Sequence, residues 1–125
     1  MKKLFSILLI ATFLTGCTSA TASFDTLSSH EAYQLINEDE TVIVIDVRSK
    51  EEFATGHING AILLPVDQIE AHAEEILQNK DAVILVICRS GARSQYASQL
   101  LADLGYTNIY DIGGILSWPG ELVTE

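Results

Sequence analysis

Two short apolar runs set the strongest limit on what this chain can fold into. Val42 to Val47 reads VIVIDV, and Val83 to Ile87 reads VILVI. Both are rich in β-branched residues. Neither alternates apolar with polar positions, as a strand with one wet face does. Such runs suit strands buried on both sides, which requires a mainly parallel sheet with helices on both faces. The intervening segments carry the matching helix signals. Ser28 and Glu31 are spaced as a capping box for a helix through about Asn37. Ser49 and Glu52 repeat that spacing for a short helix ended by Gly56. Ala61 to Leu64 reads as a further strand stopped by Pro65, and Asp67 to Gln78 has helical character. Ser94 to Leu104 places Ala97, Leu100, Leu101 and Leu104 on one helix face, with Gly105 as its end. Asn108 to Ile112 reads as the last strand, followed by Gly113 and Gly114. The expected fold is one α/β domain over residues 24–125. Its 48% hydrophobic content is enough for one packed core.

The first residues follow a different logic. Met1-Lys2-Lys3 is basic, and Leu4 to Leu14 is apolar apart from Ser6 and Thr12. That run has 11 residues, short of the roughly 20 that span a bilayer but suited to a signal-peptide core. A buried N-terminal core helix is the competing reading. Leu14-Thr15-Gly16-Cys17 resembles the bacterial lipobox. The resemblance implies cleavage before Cys17 and a lipid on its sulfur, with a plain secretory peptide as the weaker reading. Residues 1–16 are then a lipoprotein signal peptide, and residues 17–23 a lipidated end and flexible tether. The protein is expected outside the cytoplasm, held to a membrane. Thr18 is not the Asp typical of inner-membrane retention, so the outer membrane is favoured where the source has two.

Charge narrows the partners. The net charge is −10, and about −12 once Lys2 and Lys3 are removed. Such a surface repels a phosphate backbone, so nucleic acid is not an expected partner. The chain has two cysteines. With Cys17 lipidated, Cys88 is an unpaired thiol in an oxidising compartment, which marks it as reactive.

Cys88 stands at the carboxyl end of the most apolar strand, where open α/β sheets bind ligands. The segment Cys88-Arg89-Ser90-Gly91-Ala92-Arg93 then leads into a helix. Backbone N–H groups at a helix start lack intrahelical partners and favour negative charge. Gly91 permits a tight turn, and Arg89 and Arg93 add positive charge. A free thiol has a pKa of about 8.5, and surroundings of this kind lower it to about 3.5–7.5. The expected product is a thiolate in an anion cradle, with no general base required. Ser90 serves either an anion or the helix start.

This loop resembles the active-site loop of the rhodanese-like sulfurtransferases. Asp46-Val47-Arg48-Ser49, the segment Gly56-His57-Ile58-Asn59-Gly60-Ala61, and the late Gly113, Gly114 and Trp118 resemble further motifs of that family in the same order. Asn59 departs from the Pro common at that point. The resemblance covers about residues 24 to 120. It implies that Cys88 takes one sulfur from thiosulfate or a similar anionic donor as a persulfide. A thiol, cyanide or a protein acceptor then removes it. The loop Arg89, Ser90, Gly91, Ala92 and Arg93 would bind the donor, and no metal or organic cofactor is implied. Arg48 is a candidate anion contact, with an ion pair to Asp46 as the competing reading. The family motif gives His57 a structural hydrogen bond rather than a role as base. His30 and His72 read as surface residues, the three scattered histidines make no metal site, and Trp118 reads as packing.

Two other functions compete. Cysteine phosphatases and some arsenate reductases use Cys-x5-Arg, whereas Cys88 and Arg93 are spaced Cys-x4-Arg, a loop with less room for a tetrahedral phosphate around the thiolate than for a persulfide sulfur. The chain can also be read as a binding or sulfur-relay module for a protein partner.

Overall fold

The run beginning at Val83 forms β4 (Val83–Cys88), the middle strand of a five-stranded sheet. The computed structural model describes residues 21–124. The expected signal peptide, residues 1–16, and the expected lipidation site Cys17 lie outside the described residues. Before β4 come β1 (Asp25–Thr26), α1 (Ser29–Glu38), β2 (Ile43–Asp46), α2 (Lys50–Thr55), β3 (Ile62–Leu63) and α3 (Ile69–Ile76). After it come α4 (Ala92–Asp103) and β5 (Asn108–Gly114). The strand order is β1-β5-β4-β2-β3, with every pairing parallel.

β4 shows why its sequence lacks alternation. Ile84, Val86 and Cys88 join one buried cluster with Ile69 and Ala73 of α3 and Ala97 and Leu101 of α4. Leu85 and Ile87 point the other way, into a cluster with Ala32 of α1, Val44 and Ile112. Each buried Leu or Ile contributes about 1.5–3 kcal/mol. A strand wet on either side would forfeit half of that sum. The sheet is covered by helices on both faces, as the two apolar runs require.

The helix starts follow their caps. Ser28 Oγ accepts from the Glu31 N–H at 3.1 Å at the head of α1. At α2 the box closes in both directions: Ser49 Oγ accepts from the Glu52 N–H at 3.2 Å, and Glu52 Oε2 accepts from the Ser49 N–H at 3.0 Å.

Four elements differ from expectation. β1 was not anticipated, and it exists through pairing, with Asp25 opposite Tyr110 and Thr26 opposite Asp111. The Asp67–Gln78 helix is split, because Pro65 leads into a 3₁₀ turn at Val66–Gln68 before α3 begins. α4 starts at Ala92 rather than Ser94. β5 runs on to Gly114 through an irregularity: Val86 faces Asp111, but Cys88 faces Gly114. The last two differences shape the site.

Candidate active site

Cys88 is the last residue of β4 and is 1% exposed. Its Sγ accepts a hydrogen bond from the Gly91 N–H at 3.0 Å. Gly91 has φ +113°, in the left-handed region that an L side chain resists, and it is the N-cap of α4. That turn folds the loop back over the sulfur and starts α4 immediately afterwards. Ser94, in the first turn of α4, donates from Oγ to the Gly91 carbonyl at 2.9 Å and holds the turn closed. The opening N–H groups of a 12-residue helix thus sit beside Cys88. Arg89, Ser90 and Ala92 are exposed on the loop's outer side.

The late glycines explain the loop's support. A Cβ on Gly114 would lie 2.1 Å from the Arg89 carbonyl oxygen and 2.7 Å from Ser90 Cα. The loop after Cys88 therefore rests directly on β5 backbone. Gly113, at φ +82°, makes the bend that brings Gly114 opposite Cys88, and the Gly113 N–H donates to Asp111 Oδ1 at 3.0 Å. The Leu116 N–H donates to the Arg89 carbonyl at 3.3 Å from the next turn.

The chain's three arginines have different partners. Arg48 is buried and donates from Nε to Asp46 Oδ1 at 2.9 Å, and from Nη2 to Asp46 Oδ2 at 2.8 Å and the Gly56 carbonyl at 2.7 Å. These bonds are those of the structural ion pair, and Arg48 tethers the end of β2 to the end of α2. Arg93 donates from Nη1 to Glu52 Oε2 at 2.7 Å and from Nη2 to Glu52 Oε1 at 2.9 Å. Arg89 has no carboxylate partner among the described residues. The Arg93 hydrogen bonds, helped by the Ser49 N–H and the Arg93 charge, hold the Glu52 carboxyl down to about 2. The Arg93 guanidinium is raised in turn, by its bonds to Glu52 first and then by the charges of Glu52, Cys88 and Asp46. Cys88 and Arg93 therefore share one electrostatic site.

His57 is buried and stacks on Phe53, with ring centroids 3.7 Å apart. Its Nδ1 lies 2.9 Å from the Phe53 carbonyl, and its backbone pairs with Val123. Trp118 packs edge-on against Tyr33 beside the second core cluster. His30 and His72 are exposed on their helices. Glu52 is the site residue that sequence reading missed. It was visible only as a helix cap, and its partner is 41 residues away along the chain.

Residues 28–121 match the profile of the rhodanese-like domain. The chain belongs to the rhodanese-like domain family. The uncharacterized protein YibN of Escherichia coli is 32% identical over 116 residues, covering 91% of this chain and 80% of that protein. A sulfurtransferase of Allochromatium vinosum is 37% identical over 93 residues, covering 74% and 85%. The rhodanese-related protein of Thermoplasma volcanium superposes with a TM-score of 0.72 at 30% identity, covering 82% of this chain and all of that one. This rhodanese-like domain is therefore similar to proteins that include a sulfurtransferase.

Proposed function

We propose that this protein is a sulfurtransferase that carries sulfane sulfur on Cys88. The carrying observation is the Cys88 Sγ beneath the Gly91 N–H, at the head of α4. In the first step the Cys88 thiolate attacks the outer sulfur of thiosulfate or a related anionic donor. A new S–S bond forms to Cys88. The donor's S–S bond breaks with its electron pair leaving on sulfite. Charge is conserved, and no metal or redox partner takes part. Loop N–H groups and Arg89 meet the anionic donor and stabilise the persulfide. In the second step a thiol or cyanide takes the terminal sulfur and frees the Cys88 thiolate. The test is intact mass after incubation with thiosulfate. Wild type is expected to gain one sulfur atom, and Cys88→Ala none. An unloaded wild type that forms no thiocyanate with cyanide would sink the reading.

The same proposal includes export and a lipid on Cys17. Its support is the lipobox-like sequence Leu14-Thr15-Gly16-Cys17. The Ala22 carbonyl accepts from Gln99 Nε2 at 3.1 Å, and Thr21 to Ser23 lie against Gly105 to Thr107, beyond the carboxyl end of α4. α4 spans 12 residues, or about 18 Å at 1.5 Å per residue, and Cys88 lies at its other end. The point where the chain enters the domain and Cys88 thus lie at opposite ends of α4. Cys17→Ala is expected to move the protein from the membrane to the soluble fraction; tight membrane association of that variant would count against the anchor.

A further inference from the structure

The Glu52–Arg93 pair does something the loop sequence does not suggest. Both terminal nitrogens of Arg93 are engaged by one carboxylate, at 2.7 and 2.9 Å. That carboxylate is itself fixed, because Oε2 also accepts from the Ser49 N–H at 3.0 Å in the cap of α2. Ser49 in turn follows Arg48, which is clamped to Asp46 and Gly56. Glu52 is therefore a held group, not a surface side chain that happens to meet an arginine. It is set against Arg93, the loop cation whose charge interacts with that of Cys88.

The electrostatic consequence depends on the donor. A dianion gains twice as much as a monoanion from each unit of positive charge near the sulfur. A carboxylate that neutralises one of two cations therefore costs thiosulfate more than it costs a singly charged donor. Arg89 is left as the loop cation without a carboxylate partner among the described residues.

We propose that Glu52 is a specificity-determining positioning residue that biases Cys88 loading toward monoanionic sulfane donors, alkyl persulfides, over the thiosulfate dianion. This rests on the sulfurtransferase reading and names its preferred donor class. The chemistry balances without another reactant. The Cys88 thiolate bonds to the terminal sulfur of R–S–S⁻, the S–S bond breaks, and its electron pair leaves on the alkyl thiolate, which water protonates.

The test measures second-order rate constants for persulfide formation on Cys88, by intact mass, with thiosulfate and with 2-hydroxyethyl persulfide. Glu52→Gln keeps an acceptor for the Ser49 N–H but removes the charge. It is expected to raise the thiosulfate-to-persulfide ratio of rate constants about five- to tenfold. Glu52→Asp keeps the charge and is expected to stay within about twofold of the wild-type ratio, which a purely structural role for the glutamate would not predict. Should Glu52→Gln not fold, Arg93→Gln leaves the carboxylate uncompensated and is expected to lower the ratio by a similar factor. A ratio unmoved by the charge-removing variants, or moved equally by Glu52→Asp, overturns the role of Glu52 and leaves the sulfurtransferase reading standing. Failure of wild type to load from either donor overturns both.

Discussion

Arg48 meets Asp46 at the carboxyl end of β2, and Arg93 meets Glu52 beyond the carboxyl end of the neighbouring β4. Both pairs are made by two guanidinium nitrogens, with bonds of 2.7–3.1 Å. Their surroundings differ. The side chains of the first pair are 4% and 0% exposed, those of the second 38% and 32%. A buried pair gains strong attraction at a large desolvation cost, and it becomes a liability once one partner is lost. A half-exposed pair is screened by solvent and contributes roughly 0–1 kcal/mol. The same two functional groups thus hold the fold in one place and flank the loop after Cys88 in the other. Burial decides which.

The largest expected effect comes from breaking the buried pair. Arg48→Met leaves Asp46 charged or protonated in a site with no cation, and is expected to cost about 3–5 kcal/mol. It should appear as a lower urea midpoint at unchanged slope. Changing both partners, Asp46→Leu with Arg48→Met, is expected to recover most of the loss, because no buried charge remains. A loss below about 1 kcal/mol for Arg48→Met would mean that burial does not distinguish the two pairs as described.

How far the sequence discloses these two pairs follows from their spacing. Asp46 and Arg48 are two residues apart at the end of an apolar run, so a local ion pair could be anticipated. Glu52 and Arg93 belong to different connections, and only the parallel pairing of β2 with β4 brings them together. The fold shows the same division. β2 and β4 are legible because burial on both faces removes alternation from their residues. β1 is not, because Asp25 and Thr26 carry no apolar signal and become a strand only against Tyr110 and Asp111. The glycine pair was legible as a family motif, but its cause is a distance. Gly114 touches the Arg89 carbonyl, and no sequence pattern states that contact. α4 starts two residues before Ser94 because Gly91 makes the turn itself, leaving Ala92 and Arg93 inside the helix.

The smallest effect sharpens the comparison most, because it reads the exposed pair alone. Glu52 titrates at about 2 in the folded protein against an ordinary value of 4.5. A depressed carboxyl contributes stability above its unfolded value and loses it as pH falls toward its folded one. Above pH 4.5 the carboxylate is charged in both states, and the pair contributes in full. Between pH 4.5 and 2 the unfolded chain takes up the proton first, and the contribution drains away. The stability difference between wild type and Glu52→Gln should therefore be a few tenths to about 1 kcal/mol and flat above pH 5. It should close as pH falls from 4.5 to 2. Comparing the two proteins cancels the other carboxylates, whose titration is common to both. Urea melts of the pair at stepped pH and fixed ionic strength measure it. Raising the salt should shrink the plateau, since exposed charges are screened. A gap that persists unchanged at pH 2, or that opens only near neutral pH, would mean that the carboxylate is not titrating against Arg93, and the division of labour between the two pairs would fail with it.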